Sequence, residues 1–174
     1  MALTINKIGY GQVEPNHLSA QRTGQIYAQL PAHVKSESKT AESITLLENG
    51  MFAKYDYANN EVNFTGEGEF MLVLNEVKLY DERLSYADFR MEKGNCVGGV
   101  MVPRVFKTNV GDIYTTNNIS DTIADEDIAV ELKLTPGADG ILKKATGNEE
   151  MIWKVVKVYT LADGKAAVKL QRIK

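Results

Sequence analysis

Met151-Ile-Trp-Lys-Val-Val-Lys-Val-Tyr-Thr-Leu161 and Ala166-Ala-Val-Lys-Leu-Gln-Arg-Ile173, joined by Ala162-Asp-Gly-Lys165, form the plainest hairpin in the chain. β-Branched and aromatic residues fill both runs, and Asp163-Gly164 supplies the turn between them. Just upstream, Ala138-Asp139-Gly140 turns into Ile141–Lys144. The same order recurs earlier: a turn ending in Gly, a short strand, then a longer apolar strand ending in Val-Lys-(Leu/Val)-Tyr. There it runs Glu48–Lys54 and then Leu72–Tyr80. Val77–Tyr80 and Val156–Tyr159 are offset by 79 positions, whereas Gly50 and Gly140 are offset by 90. A duplication therefore requires a loop deletion, and chance likeness between amphipathic strands remains the alternative.

Outward from these segments, β signals dominate from Ile44 onward. Strands are predicted at Ile44–Leu47, Met51–Tyr57, Glu61–Phe64 and Phe70–Tyr80. Asn49-Gly50 and Ala58-Asn59-Asn60 form turns, because Asn tolerates the positive φ of tight hairpins. Further strands are predicted within Val97–Phe106, where Pro103 marks an edge or bulge, at Ile113–Thr116 and at Ile128–Leu134. The alternation of Ile128, Val130, Leu132 and Leu134 predicts one buried face. Thr135–Gly140 reads as a turn cluster, 117–127 as a polar acidic loop, and 81–92 as either a helical turn or an irregular strand. About ten short strands punctuated by turns predict a mainly β protein, a small β-barrel or β-sandwich body of one or two β units.

Residues 1–43 differ from this body. Leu3, Ile5, Ile8 and Tyr10 alternate weakly, Asn16 offers a cap for a weak helix through Leu30, and 35–43 reads as a linker. The expected division is an extended N-terminal arm (1–43), a first β unit (44–95) and a second β unit (96–174). The arm is expected to pack on the body or on a neighbour.

With 174 residues, 44% hydrophobic and 25% charged, the chain reads as soluble and globular. A net charge of -3 argues against a generally basic nucleic-acid binder. The charge is uneven: nine acidic residues between Asp56 and Glu92 face three basic ones, and eight basic residues between Lys143 and Lys174 face three acidic ones. Such polarity suits contact between copies of the protein, or simply two solvated surfaces of opposite sign. One cysteine, Cys96, excludes an intrachain disulfide and a Cys-based zinc cage. No apolar run approaches the ~18 residues of a spanning helix. Met1–Lys7 lacks a signal-peptide apolar stretch, so assembly in a reducing cytoplasm is expected, and the sequons at Asn63 and Asn118 read as coincidental.

Residues able to carry chemistry are sparse. His17 and His33 both lie in the arm, away from Cys96, so a Cys-His or Ser-His-Asp site needs the arm folded back. Asp121, Asp125, Glu126 and Asp127 lack the Gly and the register of a calcium loop. Gly94, Gly98 and Gly99 match no phosphate-binding fingerprint, and Gly66-Glu67-Gly68 puts a carboxylate where a phosphate would sit. One Trp and 8% aromatics are few for a sugar cleft. The C-terminal basic set, Lys154, Lys157, Lys165, Lys169, Arg172 and Lys174, has two readings. Trp153 and Tyr159 stack bases beside it, or Trp153 is core and the lysines protect a sheet edge. The expectation is no enzyme, no catalytic residue, no metal ligand and no cofactor.

Leu134-Thr-Pro-Gly-Ala-Asp-Gly-Ile-Leu-Lys-Lys-Ala-Thr-Gly147, followed by Val155–Val158 and the Asp163-Gly164 hairpin into Ala167–Leu170, resembles the capsid decoration (cement) proteins of tailed bacteriophages. Pro103–Thr116 is similar in style to phage virion proteins. The likeness covers about 75 residues through short, permissive motifs, and the arm and first β unit depart from the compact cement barrel. The resemblance implies a virion structural protein on the capsid surface that binds the assembled shell and stabilises it. Its partners would be the major capsid protein and neighbouring copies of itself, with no membrane and no nucleic acid. The alternatives are another minor virion component, of neck or tail, and a single-stranded nucleic-acid-binding β-barrel.

Overall fold

The computed structural model describes Gly11, Val13 and residues 26–32, 44–75, 90–92, 96, 100–161 and 164–174. Strands alternate with tight turns, and each strand pair is antiparallel. The first sheet holds β1 (Ile26–Tyr27), β3 (Phe52–Asp56), β4 (Glu61–Asn63), β5 (Met71–Val73) and β7 (Val105–Phe106), in the order β1-β7-β5-β3-β4. The second holds β8 (Ile113–Thr116), β9 (Lys133–Pro136), β10 (Leu142–Lys144), β11 (Trp153–Thr160) and β12 (Ala166–Arg172), in the order β10-β9-β11-β12-β8. A two-stranded sheet pairs β2 (Leu46–Glu48) with β6 (Arg90–Glu92).

The protein is mainly β, and its body is a sandwich of open sheets; no barrel closes among the described residues. Successive strand residues point to opposite faces, and the first sheet uses both. Phe52, Leu72 and Phe106 face the second sheet and share a core with Tyr114, Leu134, Leu142, Trp153, Val155, Val168 and Leu170. Ala53, Tyr55, Met71, Val73 and Val105 point the other way, into a core completed by Ala32, Ile44, Leu47, Val62 and Met101. A strand covered on both sides has no polar face, which is why Met71-Leu-Val73 is an unbroken apolar run.

Both β units of the sequence division contribute to the first of these cores. Strand β7, assigned to the second unit by a boundary at 95/96, pairs with β5 through Leu72↔Phe106 and Val73↔Val105. The described residues of the arm pack on this chain's own body. Val13 bridges Thr116, Ala32 bridges Val62, and β1 pairs with β7. A helix running through Leu30 is therefore corrected at its C-terminal end, where Ile26–Tyr27 is extended because it completes a sheet edge. The rest of that helix, the extended piece at 3–10, the linker at 35–43 and Val77–Tyr80 of the supposed repeat lie outside the described residues.

Several boundaries moved. Ile113–Thr116 is a strand as expected, and the C-terminal hairpin forms with β11 and β12. The strand expected over Ile128–Leu134 is displaced to Lys133–Pro136, so that Thr135 and Pro136 of the expected turn cluster are extended. Glu131 has φ +77°, its N–H donates to the Val155 carbonyl, and Val130 turns outward with 52% exposure. The polar loop 117–127 is not solvated at its start, because Asn117, Asn118 and Ile119 are buried.

Gly140 couples the sheets. Its carbonyl accepts the Phe52 N–H at 2.7 Å, and at φ +77° a Cβ would lie 2.4 Å from the Phe52 carbonyl oxygen and 2.6 Å from the Phe64 ring. Gly164 has φ +83° but open space around it. Gly164→Ala is expected to cost roughly 1–2 kcal/mol from backbone conformation alone. Gly140→Ala is expected to cost at least about twice as much, because backbone must also move. Chemical denaturation of the two variants checks the contrast.

The turn after β10 carries a pH signature. The Glu149 carboxylate accepts the Thr146 N–H at 2.7 Å, the Thr146 hydroxyl at 2.8 Å and the Gly147 N–H at 2.8 Å. These bonds, the Thr146 N–H foremost, lower its pKa from 4.5 to about 2. A lowered folded-state pKa stabilises the fold above the unfolded value and is lost as pH falls through the folded one. Glu149→Gln is therefore expected to melt below the parent at about pH 7, with the gap closing as pH drops from 4.5 towards about 2. Thermal denaturation at both ends of that range reads it.

Candidate functional site

His17 and His33 lie outside the described residues. Cys96 is half-buried and packs against the second core. Asp125, Glu126 and Asp127 form a single 3-10 turn, with Lys144 Nζ 3.8 Å from Asp127. Among the described residues no group of three or more His, Cys, Asp or Glu side chains is gathered as a metal would need. Both sequon asparagines are buried. Asn63 accepts the Thr65 and Gly66 N–H groups and donates to Asp56 and Glu61, and Asn118 is fully enclosed.

The buried polar side chains have structural work. Glu48, 1% exposed, accepts the Gly11 N–H at 2.9 Å. Asn49 accepts the Asn75 N–H at 2.8 Å, Asn75 accepts the Arg104 N–H at 2.9 Å, and Asn118 donates to the Asn49 carbonyl at 3.3 Å. These side chains stand in for backbone partners where strands end, which is why a polar loop is drawn inside. Arg172 has a comparable role: its Nη1 donates to the carbonyl and hydroxyl of Thr108, and its Nε donates to the Lys174 carbonyl at 2.9 Å.

Trp153 is core. It is fully buried, 4.8 Å from the Tyr114 ring and 5.8 Å from the Phe52 ring, so base stacking on it is corrected to packing between the sheets. The cause is parity, since Trp153 and Val155 face inward from β11.

The opposite side of the second sheet carries the strongest exposed chemistry. Lys154 lies opposite Lys133, and Lys157 lies opposite Lys169. Lys143, opposite Thr135, extends the row to β10. Lys154 and Lys157 are three apart, so a regular strand would put them on opposite faces. A bulge between Val155 and Lys157 inserts Val156 and resets the parity, leaving Val155 and Val158 towards the core and both lysines outward. Five lysines thus share one face across four adjacent strands, about 4.8 Å apart.

Lys154 is 3.1 Å from Glu131, and Lys157 lies over the Tyr159 ring at 5.3 Å. Among the described residues no carboxylate pairs with Lys157 or Lys169. Of the six basic residues marked in the sequence, this face gathers Lys154, Lys157 and Lys169. Lys165 sits at the hairpin turn, and Arg172 is occupied with Thr108. Lys133 and Lys143 were missed, because only the sheet order places β9 beside β11 and β10 beside β9.

No protein-family model, curated protein or solved structure matches the chain.

Like charges directly opposite across strands are destabilising. Lys169→Glu places a carboxylate opposite Lys157 and is expected to raise stability by roughly 0.2–1 kcal/mol, less at high salt. Urea denaturation at two ionic strengths measures it.

Proposed function

We propose that this chain is a non-enzymatic structural protein of a tailed-phage virion that binds the assembled capsid and stabilises it. The observation that carries the reading is the lysine face. A flat sheet surface with ammonium groups set against one another costs the isolated protein stability and gains it back against an acidic protein surface. The sandwich behind it is a rigid mount, with polar side chains spent on holding strand ends in place. The resemblance of Leu134–Leu170 to cement proteins supplies the setting, with the major capsid protein and neighbouring copies as partners on the capsid surface.

The same face supports a second reading, a single-stranded nucleic-acid interface, through Tyr159 lying under Lys157. The burial of Trp153 removes the stronger of the two aromatic platforms that reading relied on.

Co-sedimentation with purified shells stripped of this protein separates the readings. Saturable binding is expected, together with a higher temperature of shell rupture, and roughly tenfold weaker occupancy for Lys157→Glu/Lys169→Glu. Absence of binding to shells, or a lysine-dependent shift of a single-stranded oligonucleotide without shell binding, defeats the cement reading. Deleting residues 1–40 does not serve as a test of an arm that reaches a neighbour, because it also removes Val13, β1 and Ala32 from this chain's own sheets and cores.

A further inference from the structure

The lysine face has a counterpart on the same molecule. At the tip of the β3–β4 hairpin Asp56 lies directly opposite Glu61, a like-charged cross-strand pair of the same kind as Lys157 and Lys169. Directly opposed residues of a regular antiparallel ladder hold their Cβ atoms about 4.5–5.5 Å apart, which sets the two carboxylates close together. The carboxylate pair is held in place: Asp56 accepts the Asn59 N–H at 3.0 Å and the Asn59 side-chain amide at 2.9 Å. Asn63 Nδ2 bridges Asp56 at 3.2 Å and Glu61 at 3.0 Å. Hydrogen bonds from Asn59 also hold the Asp56 carboxyl below its ordinary pKa.

Tyr57, the next residue in the chain, is the most exposed of the large hydrophobic side chains described, at 70%. It is stacked edge-on against Tyr55 at 5.6 Å. An exposed ring and a fixed charge pair on one hairpin tip are the composition of an interface anchor. The hairpin belongs to the first sheet, which packs on the inner side of the second, whereas the lysine face points away from that core. The carboxylate pair and the lysine face therefore belong to different sheets and are distinct surfaces of one molecule.

We infer that the β3–β4 hairpin of one copy, through Asp56, Glu61 and Tyr57, docks on the lysine face of a second copy, with Lys157 and Lys169 at the centre of the contact. The contact is heterologous, since each copy offers a different surface, and it propagates into rings or open chains instead of closing as a two-fold dimer. It deepens the proposed cement role, on which its purpose rests, by naming the partner of the face: neighbouring copies linked head to tail across the shell.

Sedimentation velocity of the full chain over a concentration series, at low and at physiological ionic strength, tests the contact. The native chain is expected to associate, about tenfold more weakly at the higher salt. Lys157→Glu/Lys169→Glu and, separately, Asp56→Asn/Glu61→Lys are each expected to sediment as monomers, and an equimolar mixture of the two to associate again. In that mixture the acidic hairpin of the first variant meets the native lysine face of the second. Asp56→Asn keeps an acceptor for Asn59, and circular dichroism confirms that each variant is folded; if the hairpin variant is not, Glu61→Gln replaces it and must still weaken association. A native chain that stays monomeric throughout overturns the inference, as do variants that associate like the parent or fail to recover on mixing. A monomeric chain that binds oligonucleotide through Lys157 and Lys169 also overturns it. Shell occupancy without self-association leaves the cement role standing and removes this contact, and self-association without shell occupancy does the reverse.

Discussion

Phe52 is the point on which the two large sheets depend. Its ring enters the shared core at 5.8 Å from Trp153 and 6.2 Å from Tyr114. Its backbone N–H reaches across to the Gly140 carbonyl in the turn before β10. Side chain and main chain of one residue thus bind the sheets by two independent means, burial and a directed hydrogen bond. The spacing this sets brings Leu72 and Phe106 against Leu134, Leu142 and Val168. Gly140 must lack a side chain for the approach, so the turn is dictated by the packing as much as by its own conformation.

That attachment gives the two faces of the second sheet different characters. The face against the core carries the apolar alternation of β11 and β12, while the other face collects lysines from β9, β10, β11 and β12. The bulge at Val156 is decisive, because a regular strand that keeps Lys154 outward would turn Lys157 to the core side. A single extra residue therefore converts a scattered set of basic residues into one surface. The first sheet differs in kind. With both faces buried it has only its edges and hairpin tips to offer, and Asp56, Tyr57 and Glu61 occupy such a tip.

Much of the architecture was legible. Short β-rich runs, Asn-Gly and Asp-Gly turns and the near absence of helical periodicity pointed to a mainly β chain, and Ile113–Thr116 and the C-terminal hairpin fell where their patterns put them. The misreadings share a cause. Ile128–Leu134 alternates like a strand, but Glu131 adopts a left-handed conformation to donate its N–H to Val155. Asn117 and Asn118 look like loop surface, yet they are inside because strand ends there need side-chain hydrogen bonds. Trp153 was readable either as a base-stacking ring or as core, and inward parity on β11 decided it.

The sequence by itself determined local matters: which segments extend, where they turn, and that opposite charges gather in different stretches of the chain. These follow from propensity and periodicity, which act over a few residues. Only the tertiary structure decided which strands are neighbours, that Ile26–Tyr27 completes a sheet, and that Lys133 lies beside Lys154 with Lys143 on the next strand out. It also decided that Asp56 pairs with Glu61 across one hairpin and Lys157 with Lys169 across another. Sheet order and cross-strand register arise from contacts between residues far apart in the chain, and no local pattern encodes them.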